Sequence, residues 1–317
     1  MKRWLAILVA SLICATAAAQ DYPTKPVVIV VPFAAGSGSD TAARVIGQYL
    51  GPLLGQSIVV ENRVGATGAI ASTYVSRARP DGYTLLLGTN STHGSNSALY
   101  KSLAYDPIKN FVDIADTGTF NLVLVVSPAL PVQSAAELVA YGQANPGKLS
   151  YAAGSSGSIV LAETFARETG VPLVKIPYRS NPPALTDVIA GRVSLMFVDI
   201  SSASSFIKSG QVRALAVTTK ARSPIYPDLP TIDETVDKGF DLSSWTGLFA
   251  PAGTPAPIVE KLNREVNAVL EIPDVRDRLT ALGVEPAPMS VAEFTRFVAS
   301  EVPKWVSLVK QAGIEPE

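Results

Sequence analysis

"VVPFAAGSGSD", residues 30–40, decides the reading of the fold. Val30 and Val31 end a β-branched run that opens at Val27. Small residues then carry the chain from Ala34 to Ser39, and Asp40 stands at the head of an amphipathic stretch. A buried strand, a small-residue loop and a helix make one unit of an α/β protein. Working outward, the unit repeats. "DTAARVIGQYLGPLLG" is a helix, "SIVVEN" a strand, and "GATGAIASTYVSRA" a helix ended by the turn Arg79-Pro80-Asp81-Gly82. "YTLLLGT" is a strand that runs into the loop "NSTHGSN". The alternation predicts parallel or mixed sheets covered on both faces.

A second cycle opens at "NLVLVVSP". "SAAELVAYGQANPGK" is a helix with a capping box, Ser134 and Glu137. "LSYAAGSSGS" is a strand and loop, and "IVLAETFARETG" a helix with Gly170 past its end. "LVKIPYRS", "VSLMFVDI" and "VRALAVTT" are strands separated by the helices "PPALTDVIAG" and "SSASSFIKSG". From Arg222 the chain turns Pro-rich, and "SWTGLFAPAGTP" is a strand and loop. Two amphipathic helices end it. Ile258, Leu262, Val266, Val269 and Leu270 mark the first. The second opens with a capping box at Ser290 and Glu293, and Pro303 predicts a kink or break inside it. The expected organisation is two lobes: residues 20–124 with 221–317 in the first, and 125–220 in the second. Chain crossings near Leu122–Val126 and Ala214–Thr218 would form a hinge.

The 317 residues are 47% hydrophobic with a net charge of −1, so nothing recruits nucleic acid or an anionic membrane surface. Residues 1–19 read as a secretory signal peptide: Lys2 and Arg3, an apolar stretch too short to span a bilayer, and Ala17-Ala18-Ala19. Cleavage after Ala19 would remove the only cysteine, Cys14, and leave no disulfide or thiol chemistry. An exported, soluble, periplasmic chain is expected.

Catalytic readings fare poorly. Gly36-x-Gly38 lacks the third glycine of a dinucleotide loop, since Thr41 stands there, and no P-loop is present. "GSSGS" at 154–158 fails the nucleophile-elbow frame. A serine hydrolase would need His93, the only histidine. One histidine and one cysteine leave no Zn site, and no acidic run has Ca²⁺-loop spacing. No cofactor, metal or catalytic residue is expected. What recurs is a set of three loops after strands and before helices: "AAGSGSD", "NSTHGSN" and "AGSSGS". Small residues let the backbone approach a ligand, and each following helix presents free N–H groups and the positive end of its dipole. Each loop alone is ordinary capping; together they suit a carboxylate held between lobes. Asp40 reads as a helix cap, and Asp199 as either a cap or a partner for a ligand amine or hydroxyl. Arg179 reads as a surface or hinge group rather than a ligand clamp.

The blocks "YPTKPVVIVVPFAAGSGSDTAAR", "VVENRVGATGAIA", "ARPDGYTLLLGTNSTH", "NPGKLSYAAGSSGS", "PALTDVIAGRVSLMF" and "WTGLFAPAGTPAPIVEKLN", in this order, resemble the Bug family, the periplasmic substrate-binding proteins of tripartite tricarboxylate transporters. The resemblance runs from about Tyr22 to Gly313. It implies a two-lobed periplasmic binding protein of type II. The protein would close on a di- or tricarboxylate, an acidic amino acid or an aromatic acid, and deliver it to two membrane subunits. Carried over by position, the ligand residues are Phe33, Ala34, Ala35, Gly36, Ser91, Thr92, Ser155 and Ser158. Ser37 and Asp199 complete the expected set. Ser37 and Ser180 depart from the glycines of many members, Val160 from a residue often polar, and Asp199 stands one position later than the family's acid, where strand alternation could turn it from the cleft. A monomer is expected. The alternatives are an exported hydrolase using His93 and a loop serine, or a sensor that signals to a partner protein.

Overall fold

A computed structural model of the chain describes residues 22–316. The expected signal peptide, 1–19, with Cys14, lies outside the described residues.

Two mixed sheets organise the molecule. The first contains β1 (Val27–Val31), β2 (Ile58–Asn62), β3 (Thr84–Thr89), β4 (Phe111–Phe120), β10 (Ser244–Pro251) and β11 (Val284–Glu285), in the order β11-β4-β10-β3-β1-β2. β1 pairs parallel with β2 and β3, while β10 runs antiparallel to β3 and β4. The second contains β5 (Leu122–Val126), β6 (Leu149–Ala153), β7 (Leu173–Pro177), β8 (Leu195–Asp199) and β9 (Arg213–Val217), in the order β7-β6-β8-β5-β9.

Side-chain alternation gives each sheet two cores. In β10, Leu248 and Ala250 face the core under the helices Gly38–Leu54, Ala256–Glu271 and Pro273–Ala281. Trp245 and Phe249 face the other side, with Phe111 and with Phe294 of the helix Val291–Gln311. In the second lobe Leu195 and Phe197 pack against the helix Ser156–Thr169, while Met196 and Val198 pack against Asn181–Ile189 and Ile200–Lys208.

β4 is the longest strand among the described residues, and periodicity misses it together with the two-residue β11. Asp113, Asp116 and Gly118 break its hydrophobic pattern, and its register with β10 shifts twice. Gly118 adopts φ +133, where a Cβ would sit 2.9 Å from Glu285 O, so only glycine fits beneath β11. The Pro273–Ala281 helix was also not expected. Pro303 does not break its helix, which runs 21 residues from Val291 to Gln311, anchored by buried Phe294, Val298, Trp305 and Val309.

The lobe boundaries differ from those expected. The chain leaves the first sheet at Phe120, crosses at Asn121, and all of β5 belongs to the second sheet. Residues beyond 221 stay with the second lobe: Ile225, Tyr226 and Leu229 cover one of its cores, and Ile232, Phe240 and Leu242 are buried in the other. The return crossing falls between Leu242 and Ser244, because the apolar residues of the Pro-rich segment need the second sheet's surface. Asn121 ties the crossing to the first lobe, with N–H donating to Gly283 O at 3.1 Å and Nδ2 to Glu285 Oε1 at 2.9 Å. Thr218 Oγ1 donates to Leu242 O at 2.6 Å across the return strand.

Candidate functional site

The loop after β1 is fixed from beneath. Ser37 caps the Gly38–Leu54 helix, its Oγ accepting from Asp40 N–H at 3.3 Å, and Asp40 Oδ2 accepts from Gly36 N–H at 3.0 Å. Asp40 is thus the reciprocal acid of the first turn, and Ser37 the N-cap. Asn62, at the end of β2, donates to Phe33 O at 2.8 Å and to Asp40 Oδ1 at 2.9 Å. Burial works against the Asp40 charge, but hydrogen bonds from Arg44, Asn62 and Gly36 prevail and hold its carboxyl below the usual range.

Between the lobes lies a cavity of about 50 Å³. The first lobe contributes Phe33, Ser37, Gly38, Ser39, Thr89, Asn90, Ser91, Phe120, Ser244 and Thr246, and the second Leu122, Ser155, Gly157, Asn181 and Asp199. Among the described residues no Lys or Arg lines it. Instead four helices begin at its wall: Gly38–Leu54, Ser156–Thr169, Asn181–Ile189 and Ile200–Lys208. Each presents N–H groups and a positive dipole end.

Of the residues singled out in sequence, Phe33, Ser37, Ser91, Ser155 and Asp199 meet at this cavity. Ala34, Ala35, Gly36, Thr92 and Ser158 are not among its lining residues. Ala34 N–H donates to Ser180 Oγ of the other lobe at 3.1 Å, and Ala35 and Gly36 are exposed on the outside of the turn. Thr92 is fully buried and bonds Thr89 and His93; Ser158 Oγ turns back to Ser155 O at 2.7 Å. The "NSTHGSN" loop is wound into a single wide helical turn, Ser91–Ser95, which turns Thr92 inward.

Asp199 does face the cleft, and it caps its helix as well. Oδ1 accepts from Ser202 N–H at 2.9 Å and Ser201 Oγ at 2.5 Å, and Oδ2 from Asn181 Nδ2 at 2.9 Å. Because Asn181 must turn its NH₂ to that carboxylate, its Oδ1 is fixed as the free atom, and it is buried without a partner. Across the cavity, Asn90 Oδ1 accepts from Ser244 Oγ, which leaves Asn90 Nδ2 buried and unpartnered, facing Gly157 of the other lobe. Sequence reasoning missed Asn90 and Asn181. The signal was present in "TNSTH" and "RSNPP", where an asparagine begins or adjoins a helix just past a strand.

The lobes are in contact in this structure. Ser95 Oγ and Ser156 Oγ lie 2.5 Å apart, and Ser202 Oγ reaches Gly36 O at 3.5 Å. Gly38 abuts the second lobe so tightly that a Cβ would stand 2.7 Å from Asp199 Oδ1 and 2.6 Å from Ser201 Oγ.

His93 serves none of this. It is fully buried, stacked on Phe249 at 3.8 Å and edge-on to Phe111 at 4.8 Å. Its Nδ1 is 2.9 Å from Thr92 Oγ1, its Nε2 has no partner, and burial pushes its pKa down to about 3. The pairing of His93 with a loop serine that the hydrolase alternative requires is therefore not formed. Among the described residues no group of three or more His, Cys, Asp or Glu could hold a metal ion, and no helix is long and apolar enough to cross a membrane.

The family model described as tripartite tricarboxylate transporter family receptor matches residues 42–314. The chain is 34% identical over 304 residues to protein BugT of Bordetella pertussis, covering 95% of this chain and 93% of that one. Among solved structures it is similar to R. palustris Rpa4515 with adipate, with a TM-score of 0.91, 36% identity, and coverage of 93% and 100%. It is also similar to MatC from Rhodopseudomonas palustris with bound malate, with a TM-score of 0.86, 36% identity, and coverage of 91% and 100%.

Proposed function

The chain belongs to the tripartite tricarboxylate transporter family of receptors, and from that premise we propose that it binds a small organic carboxylate between its lobes in the periplasm and hands it to two membrane subunits. The observation that carries this reading is an interlobe cavity lined by no Lys or Arg, at which four helix N-termini meet and Asn90 Nδ2 is left without an acceptor. A buried donor with no partner costs on the order of 1–3 kcal/mol, which a ligand oxygen would recover. Each helix end favours a carboxylate by about 0.3–1 kcal/mol, and more when desolvated. The adipate and malate held by the two solved relatives support the same ligand class.

Within this reading the ligand contacts are Phe33, Ser37, Gly38, Ser91, Ser155 and Asp199, joined by Asn90, Asn181 and Ser244. Ala34, Ala35, Gly36, Thr92 and Ser158 act by holding those residues in place. The protein works as a monomer that opens and closes about Asn121 and the Leu242–Ser244 crossing.

Thermal-shift screening against mono-, di- and tricarboxylates and acidic amino acids, followed by calorimetry, tests it. A true ligand at a hundredfold excess over Kd adds about 2.7 kcal/mol of stability, a rise of several degrees. A protein that ignores every carboxylate and responds to a nucleotide would overturn the proposal.

A further inference from the structure

A second cavity lies between the lobes, about 260 Å³ in volume and separate in its lining from the inner one. Thr67 and Tyr100 of the first lobe form one wall, and Lys175, Tyr178 and Arg179 of the second form the other, with Glu315 near the C-terminus at its edge. The two cavities flank the same second-lobe loop: Ser155 and Gly157 line the inner one, Ala153 and Ile159 the outer.

We infer that this outer cavity is a second anion site, which holds a small organic carboxylate weakly at the rim of the cleft before it reaches the inner cavity. Three observations carry the inference. The positive side chain that the proposal uses is here and not inside: Arg179 lines the outer cavity beside Lys175, which is already engaged, and no Lys or Arg is among the described residues lining the inner one. Arg179 is exposed and enters no ion pair among the described residues, so its charge is available. The opposite wall is built under strain. Ala66 and Thr67 both take φ +47, a region that non-glycine residues avoid, and Thr67 is pinned there by Asn96, with Oγ1 donating to Asn96 Oδ1 at 2.8 Å and Asn96 Nδ2 donating to Thr67 O at 3.1 Å. Strain held by such bonds is characteristic of ligand walls. Tyr100 OH, 3.0 Å from Thr67 Oγ1, adds a hydroxyl, whereas Tyr178 OH is committed to Asp187 Oδ2 at 2.6 Å and offers its ring. Glu315 subtracts from the positive field. The site is therefore weak and salt-sensitive, suited to capture and release.

The inference depends on the carboxylate reading of the inner cavity only for the choice of probe. The test is a succinate titration of ¹⁵N-labelled protein, following the Arg179 Nε–H and the Thr67 and Tyr100 amides against the Ser39 and Asn90 amides. The outer signals should move in a phase of their own, weaker than the inner one and suppressed by raising NaCl. Arg179→Gln should weaken that phase about fivefold or more and Glu315→Gln should strengthen it about twofold, with the inner phase within twofold of wild type in both. If the Arg179 and Thr67 signals stay still, or if Arg179→Gln and Glu315→Gln shift the outer phase alike, the inference is wrong. Inner signals that never move while the outer ones do would instead count against the proposed function alone.

Discussion

Gly38→Ala separates closure from folding. Gly38 is the first residue of its helix and lacks positive φ, so alanine suits its backbone. The three atoms nearest the new methyl all belong to the other lobe: Ser201 Oγ at 2.6 Å, Asp199 Oδ1 at 2.7 Å and Asp199 Cγ at 2.9 Å. Asp199 cannot turn aside cheaply, because Ser202 N–H, Ser201 Oγ and Asn181 Nδ2 all donate to it. Forcing a methyl into such a contact costs about 1–3 kcal/mol. The whole cost falls on the closed form, so affinity for the best carboxylate should drop by roughly 5- to 150-fold. The ligand-free melting temperature should be unchanged or slightly higher. Calorimetry at matched protein concentration, paired with a thermal scan of the apo protein, reads both. A variant that binds within twofold of wild type would show that the Gly38–Asp199 approach is not part of the binding form.

Asn90→Asp replaces the unpartnered donor with a carboxylate beside the proposed ligand anion, and should weaken carboxylate binding tenfold or more, by about 1.4 kcal/mol at least; unchanged affinity by calorimetry would remove Asn90 from the site. Stability against pH should reveal two opposed buried groups. His93, held near 3 in the fold, titrates near 6.5 when unfolded, so its contribution is present above that value and is lost as the pH falls toward about 3. Asp116, pushed up to about 7 chiefly by burial, contributes below about 3.8 and loses that contribution as the pH rises toward 7. Between pH 4.5 and 6.5 the two slopes, each about 1.4 kcal/mol per pH unit at most, oppose one another. Asp116→Asn removes one of them, so its denaturant-measured stability should fall on acidification by roughly 2 kcal/mol more than wild type over that range; parallel curves would refute the assignment.

Much of the fold was legible because its strands are buried runs such as "VVIVV" and "LVLVV", which need no partner to be recognised. β4 was hidden for the opposite reason: Asp113, Asp116 and Gly118 are tolerated by two register shifts and by the cover of β11, facts that only pairing reveals. The lobe boundary failed at the Pro-rich segment, whose composition marks a change of chain path and says nothing of which core receives Ile232 and Phe240. At the site, the loops were legible and their facing was not. Small-residue loops announce a close backbone approach, but which side of the turn meets the cavity depends on where the helix begins. That start is Gly38, three residues beyond Ala35, and the lining shifts with it to Ser37, Gly38 and Ser39.

On the proposed function, the separation of positive charge between the two interlobe cavities follows from what each would do. A lysine or arginine is a strong, flexible point charge that attracts any anion at a distance, and salt weakens it. A helix N-terminus or a buried amide is a short-range donor fixed in direction by the core behind it. The inner cavity has only the second kind, supplied by four helices that start from strands of both sheets. On the proposed function, its affinity for a carboxylate would exist only when the lobes meet, since Asn90 and the Gly38–Leu54 helix sit on one lobe and Ser155, Asn181 and Asp199 on the other. A cation inside would bind the ligand to one lobe alone and leave closure with less to contribute. On the two proposals, Arg179 at the rim would let attraction precede closure, and discrimination among carboxylates would fall to fixed donors in a chain whose net charge, −1 before any cleavage, does nothing to favour anions.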